Sequence, residues 1–190
     1  MITSETLGLD VSRETLERLN HYLAMLTKWN PRINLVARAT LAEAADRHFA
    51  DSAQLVSALP HPSGHWVDIG SGGGFPGLVV AILLAESAPD VPVSLIESDT
   101  RKATFLRSVI RETGLTARVH AERIEACTPQ EATILSARAL APLPKLMEFA
   151  ARHLAPGGTA LFMKGESWGK ELEDARSQWQ FSCTPHTSRT

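Results

Sequence analysis

Trp66-Val67-Asp68-Ile69-Gly70-Ser71-Gly72-Gly73-Gly74-Phe75-Pro76-Gly77 decides how the rest of the chain is read. Trp66 to Ile69 is a short run of buried-strand type. Glycines follow, then Pro76, then the apolar run Leu78 to Ala85. Strand, glycine loop and helix, in that order, form the first unit of a doubly wound α/β fold. Glycine admits positive φ and lets a ligand approach the backbone without a Cβ in the way. Pro76 suits the first turn of a helix, where its missing N–H leaves no bond unmade. The loop is therefore read as a ligand cradle at a helix N-terminus. A ligand-free turn would not need so many consecutive glycines, each of which carries an entropic cost on folding.

Two ligands compete for it. Gly72, Gly74 and Gly77 satisfy the G-x-G-x-x-G spacing of dinucleotide sites, and Glu97 follows about 20 residues on, where a ribose-binding acid belongs. The second pattern begins earlier, at Asp68-x-Gly70-x-Gly72-x-Gly74, and resembles motif I of class I S-adenosylmethionine-dependent methyltransferases. Charge separates the two. A carboxylate at the strand end repels an anionic pyrophosphate but favours an ammonium and a sulfonium. Asp68 therefore selects S-adenosylmethionine.

From Trp66 onward, strand and helix patterns alternate. Strands are expected at Val93 to Glu97, Ala117 to Ala121, Thr133 to Ala137 and Thr159 to Met163. Helices are expected at Thr100 to Thr113, closed by Gly114, at Pro142 to Leu154, and at Lys170 to Trp179. Such alternation implies a mostly parallel sheet with helices on both faces, whose ligands sit beyond the carboxyl ends of the strands. The segment before it, residues 1–62, has no strand pattern. Ser12 can cap a helix carrying Leu16, Leu19, Leu23 and Leu26, ended by Trp29-Asn30-Pro31. Thr40-x-x-Glu43 reads as a capping box for a second helix with a break near Asp51-Ser52. The expected organisation is an N-terminal helical cap, 1–62, beside a cofactor-binding core, 63–190.

The chain of 190 residues is long enough for one domain with a sizeable core. Its net charge is −2, so any nucleic-acid contact has to come from a local basic patch. Cys127 and Cys183 stand in no recognisable metal or redox spacing, and no metal is expected. No basic-then-apolar leader and no long apolar span occurs, which points to a cytoplasmic chain without a membrane.

The strand-end rule gathers the candidate site: Asp68 to Gly74, Glu97, Arg123 to Glu125, Arg138 and Lys164. Glu97 can accept both hydroxyls of a ribose. Ile124 and Glu125 can offer an adenine an apolar wall and an acceptor. Arg138, between small and apolar residues, faces a pocket or forms an ion pair with an acid such as Glu125. Lys164 is a surface lysine or meets a phosphate. Arg101, Lys102, Arg107, Arg111 and Arg123 form either a basic face near the site or an ordinary solvated one. His48 and Asp51 read as a hydrogen-bonded pair fixing the cap against the sheet, since no nucleophile accompanies them. The chain also lacks the Asn/Asp-Pro-Pro-aromatic motif of amino-group methyltransferases and the placed cysteine of C5-pyrimidine enzymes. The target atom then needs neither deprotonation nor covalent activation. Guanine N7, with its free lone pair, is such an atom, and the catalytic task is alignment.

Asp68-Ile-Gly-Ser-Gly-Gly-Gly-Phe-Pro-Gly77, Leu95-Ile-Glu-Ser98 with Lys102-Ala103-x-Phe105-Leu106, Arg123-Ile-Glu125, Ala137-Arg-Ala-Leu-Ala-Pro-Leu143 and Lys164-Gly165 together resemble the ribosomal RNA small-subunit methyltransferase G family, also called glucose-inhibited division protein B. Trp29-Asn-Pro-Arg-Ile-Asn-Leu35 and Arg47-His48-x-x-Asp51-Ser52 extend the resemblance over nearly the whole chain. It implies a class I, Rossmann-like methyltransferase fold. It also implies S-adenosyl-L-methionine as cofactor, without a metal, and methylation at N7 of one guanine of bacterial 16S ribosomal RNA, position 527 in that family. By the resemblance Gly70, Phe75, Ile124, Glu125 and Arg138 would contact the cofactor, and Asp68, Gly72, Gly74 and Glu97 join them from the motif reading above. On charge, Arg101, Lys102, Arg123 and Lys164 are the clustered cations expected to meet the RNA, as free 16S RNA or as a small-subunit precursor, with the protein expected to be a monomer. Arg138 and Lys164 are the candidates beside the reacting atoms. The family usually continues with a last strand, so the closing edge of the sheet is expected to be missing or shortened. A small-molecule methyltransferase on the same fold, and a cofactor-binding protein without activity, are the alternatives.

Overall fold

The computed structural model describes residues 1–189. Among them, five strands form one parallel sheet: β1 (Trp66–Ile69), β2 (Val93–Ile96), β3 (Arg118–His120), β4 (Ala132–Arg138) and β5 (Leu154–Met163). Their order is β3-β2-β1-β4-β5. Trp66 of β1 pairs with Val93 on one side and Ile134 on the other. The connection order reverses at β1, and a crevice opens at the carboxyl ends of β1, β2 and β4. The helices are α1 (Ser4–Leu7), α2 (Arg13–Ile33), α3 (Arg38–Leu41), α4 (Asp51–Ala58), α5 (Gly77–Ser87), α6 (Thr100–Thr113), α7 (Leu143–His153) and α8 (Trp168–Arg176).

Alternation along the strands assigns the two faces. Trp66, Val93, Leu95 and Ile134 face α5 and α6, whereas Val67, Ile69, Ile96, Leu135 and Ala137 face α7 and α8. α5 is buried from Gly77 through Leu84 because the sheet covers one side and α2 and α4 the other. A helix apolar all round is stable only when enclosed in this way. The N-terminal helices and the sheet thus share one apolar core, in which Leu19, Tyr22, Leu26 and Phe49 meet Phe75, Leu78 and Phe105.

Ser12 caps α2 and Gly114 closes α6 as the sequence predicts. Four local expectations are corrected. α2 does not end at Trp29-Asn30-Pro31 but runs to Ile33. Pro31 removes one donor from the last turn, and the buried Asn30 side chain accepts from Leu35 N and Val36 N, both at 2.8 Å. Thr40-x-x-Glu43 does not form a capping box. Thr40 lies within α3, a π-helical turn spans Ala45–Ala50, and α4 starts at Asp51. β5 begins at Leu154, five residues earlier than the composition suggests. Pro156-Gly157-Gly158 is a bulge inside the strand, with Gly157 at φ +79° and the register shifting between Ala132 and Ile134. α8 starts at Trp168 and stops at Arg176, shifted toward the N-terminus by comparison with the sequence reading.

Candidate functional site

A cavity of about 490 Å³ lies in the crevice, a size within the usual range for small-molecule sites. Gly70, Ser71, Gly72, Gly73 and Phe75 of the first loop form one wall. Ile96, Glu97 and Ser98 follow β2, Arg123, Ile124 and Glu125 follow β3, and Arg138 to Ala141 follow β4. Lys102 and Leu35 reach its rim. Most of the candidates grouped by strand ends are therefore brought together, while Asp68, Gly74, Arg101 and Lys164 are not part of the wall.

The glycines divide the work. Gly72 (φ +53°) is open: a Cβ there would meet only Gly70 O, at 3.8 Å, which leaves its space to the cavity. Gly70 (φ +65°) makes room for Leu140, whose Cδ1 would lie 2.5 Å from an added Cβ. Gly74 (φ +96°) serves the helical cap, since a Cβ would strike Tyr22 Oη at 2.5 Å and Leu78 Cδ1 at 2.6 Å. Gly77 lets α5 approach β1, where a side chain would meet Asp68 at 2.7 Å.

Glu97 holds the loop in place. Its Oε2 accepts from Gly72 N and its Oε1 from Asp99 N, both at 2.7 Å. Each oxygen retains a further lone pair for a ligand hydroxyl. Asp68 lies behind the loop, fully buried, with Oδ1 accepting from Ser136 Oγ at 2.7 Å. Its Oδ2 has no geometrically acceptable partner, although it lies against the first residue of α5, where the helix dipole favours negative charge. Desolvation outweighs these hydrogen bonds and pushes the Asp68 carboxyl up to about 6. The sequence reading set Asp68 directly against the ligand. In the structure its effect on the cavity is exerted through the loop.

The Asp68 carboxyl carries a pH signature. Its folded value is raised above the ordinary value near 3.9. The native state therefore binds the proton more tightly, and this group's contribution to stability falls as pH rises from about 4 to 6. The full displacement corresponds to up to about 3 kcal/mol. Denaturant titrations at pH 4.5 and pH 7 are expected to show a smaller stability loss with rising pH in Asp68→Asn than in the parent chain. Parallel profiles would remove Asp68 as the cause.

Arg138 is half enclosed. Its Nη1 donates to Arg47 O at 3.3 Å and lies 3.9 Å from Asp51 Oδ2, while Cζ sits 5.1 Å from the Phe75 ring centroid. The acid beside it is thus Asp51 of the π-turn junction, not Glu125. Burial lowers the affinity of this guanidinium for its proton. His48 does not pair with Asp51: its Nε2 meets Thr40 Oγ1 at 2.9 Å and its ring packs 5.1 Å from Phe75. Burial pulls the imidazole down to about 4, which leaves it neutral near pH 7. Lys164 is engaged as well, 2.6 Å from Glu171 Oε2 and donating to Ala141 O at 3.0 Å, which ties α8 to the loop after β4. Arg101 pairs with its helix-capping neighbour Asp99 at 3.0 Å. Arg123 is largely exposed, with Glu125 3.6 Å away.

Two contributions escaped the sequence reading. Tyr22, the chain's one tyrosine, is fully buried, stacks on Phe75 with centroids 5.4 Å apart, and donates to Gly73 O. In sequence it sits within the leucine stripe of α2 and reads as core. Ala139 adopts φ +48° at the cavity wall, which projects Leu140 onto Gly70. No local pattern marks it.

A small-molecule cavity at the switch point of a parallel sheet, floored by a glycine loop and gripped by a strand-end acid, defines a Rossmann-like α/β protein of the methyltransferase class. An S-adenosylmethionine-dependent O-methyltransferase of Thermotoga maritima shares this fold at a TM-score of 0.53 and 16% identity, over 72% of this chain and 55% of that one. The ribosomal RNA small subunit methyltransferase G of Ruegeria sp. strain TM1040 is 52% identical over 184 residues, covering 97% of this chain and 89% of the relative. Its counterpart from Rhodospirillum centenum is 55% identical over 180 residues, covering 95% and 81%. The model of the family GidB, rRNA small subunit methyltransferase G, matches residues 15–189, and the chain belongs to that family. Among the described residues no helix is long and apolar enough to cross a membrane.

Proposed function

We propose that this protein methylates N7 of a single guanine in 16S ribosomal RNA, the residue at position 527 in the family, with S-adenosyl-L-methionine as donor. The observation that carries the reading is the convergence of Gly70, Gly72, Phe75, Glu97, Ile124, Glu125 and Arg138 on one cavity in a chain of this family. S-adenosyl-L-methionine, when bound, supplies an electrophilic methyl group on a sulfonium. Guanine N7 offers a lone pair, so the protein needs no base and no covalent nucleophile, and its contribution is alignment and exclusion of water. Glu97 accepts the ribose hydroxyls, Ile124 walls the adenine and Glu125 accepts from its edge. Ionised Asp68 sets a negative potential behind the loop, which suits a cationic ligand. Arg138 holds the junction between the cofactor side and the rim facing the guanine. Residues 1–62 act as a cap that braces the glycine loop from outside. The enzyme works as a monomer in the cytoplasm, on 16S RNA or a small-subunit precursor.

The test is to map 7-methylguanine in 16S RNA from cells with and without the gene, and to restore the mark in vitro with purified protein. One N7-methylated guanine should disappear and return. An unchanged mark, or methylation of a small molecule with none of RNA, would overturn the reading.

Binding to RNA should also depend on salt. Each phosphate contact contributes about −0.7 to −0.9 to the log–log slope. With a net charge of −2 the patch is small, and a slope of about −2 to −4 is expected. Lys102→Ala and Arg123→Ala should each reduce it by about one. Lys164→Ala should change it less, because Glu171 already neutralises that ammonium. A salt-independent interaction would contradict the assignment of these cations to the RNA.

A further inference from the structure

We propose that His120, Glu122 and Cys127 form a site for a divalent cation of the zinc class, beneath the loop that walls the cavity. The site lies outside the machinery described above, and the sequence spacing His120-x-Glu122-x-x-x-x-Cys127 corresponds to no familiar metal signature. The fold assembles it. His120 ends β3, and Glu122 stands two residues on. The chain then turns back, with Ala126 N and Cys127 N both donating to Arg123 O, at 3.0 and 2.9 Å. One ligating atom from each of the three side chains lies within 4.8 Å of the others, and His120 Nδ1 is 3.8 Å from Glu122 Oε1.

The donor set selects the ion. One imidazole, one carboxylate and one thiolate suit zinc and its borderline neighbours, whereas magnesium and calcium prefer oxygen alone. Zinc–ligand bonds of 2.0–2.3 Å place ligands about 3.5 Å apart, so the triad has to contract by about 1 Å. Glu122, with its side chain 44% exposed, is free to supply that movement. Cys127 is fully buried, and burial and the neighbouring Glu122 carboxylate push its thiol up, so the arriving cation itself has to draw off the proton; Gln130 Nε2, 3.5 Å from the sulfur, is the donor beside the resulting thiolate. The backbone around the triad is fixed: Arg152 donates to Cys127 O at 2.8 Å, and His153 Nε2 meets Ile124 O at 2.9 Å. Coordination takes the thiolate, with the thiol proton passing to solvent. Three protein ligands leave a fourth position for water. Arg123, Ile124 and Glu125 lie in sequence between the ligands, so the ion would clip both ends of a cavity-lining loop.

Chelator-treated protein titrated with cobalt(II) chloride should bind one equivalent and develop a thiolate-to-cobalt charge-transfer band in the near ultraviolet, which zinc chloride then abolishes. Cys127→Ser should lose the band. Glu122→Gln, at an exposed position that does not disturb the core, should weaken zinc binding by at least about 10–100-fold at an unchanged metal-free melting temperature. Cys183→Ser, exposed and elsewhere in the chain, should leave both readouts unchanged. No charge-transfer band in the parent chain, a band that survives Cys127→Ser, or full zinc affinity in Glu122→Gln would overturn the proposal.

Discussion

Arg138→Ala is expected to lower methyl transfer by about 10²–10³-fold while shifting the melting temperature by no more than a few degrees. The magnitude is that of removing one preorganised donor from a reaction site. The guanidinium joins three parts of the structure: the Arg47 carbonyl of the π-helical turn, the Asp51 carboxylate and the face of Phe75. Phe75 lines the cavity together with Arg138, so loss of the contact should loosen both walls at once. The ion pair is long, at 3.9 Å, and Asp51 keeps the hydrogen bond from Ser188 Oγ at 2.8 Å when the guanidinium is removed, so the pair adds little stability. Methyl incorporation and thermal unfolding measured on the same preparation separate the possible outcomes. Normal turnover per folded molecule with a large loss of melting temperature would make Arg138 a structural residue only.

Gly74→Ala is expected to destabilise the fold by about 3–5 kcal/mol, the sum of a strained backbone and an overpacked core. At about 2–4 °C per kcal/mol for a chain of this size, the melting temperature should drop by about 10 °C. The strain arises at φ +96°, and the overpacking from Tyr22 Oη and Leu78 Cδ1. Gly165→Ala, where an added Cβ meets nothing within 4 Å, is the control and should change stability little. Differential scanning calorimetry of the two variants decides the matter. Equal melting temperatures would show that the loop can move away from the cap at little cost.

The parts of the site that were readable in the sequence are those set by a single strand and its following loop. In a parallel sheet every carboxyl strand end opens on the same side. The strand pattern alone therefore places Gly70, Glu97, Ile124 and Arg138 together. Asp68 was placed on the right element but on the wrong side of the loop. Alternation turns residue 68 toward α5, and no reading of β1 alone shows how closely Gly77 brings that helix. Arg138 meets Asp51 rather than Glu125: Asp51 stands where the π-helical turn passes into α4, in the N-terminal segment, and a reading confined to strand ends does not bring it there. Lys164 looked free because Glu171 lies on a later helix. Tyr22 and the triad of His120, Glu122 and Cys127 depend on contacts between distant elements or on a turn with no strong signature, and periodicity carries no trace of either.

The placement of β1 between β2 and β4 also fixes the order in which its two neighbours are made. Synthesis proceeds at about 5–20 residues per second. β2 is complete at Ile96, whereas β4 begins only at Ala132. For a time on the order of seconds, the residues of the central strand have a native partner available on one side only. An unpaired strand edge is a template for any extended chain nearby. In the finished fold residues 134–136 cover that edge by pairing with Trp66 to Asp68, so the last side of the central strand to be closed depends on a segment made well after the first.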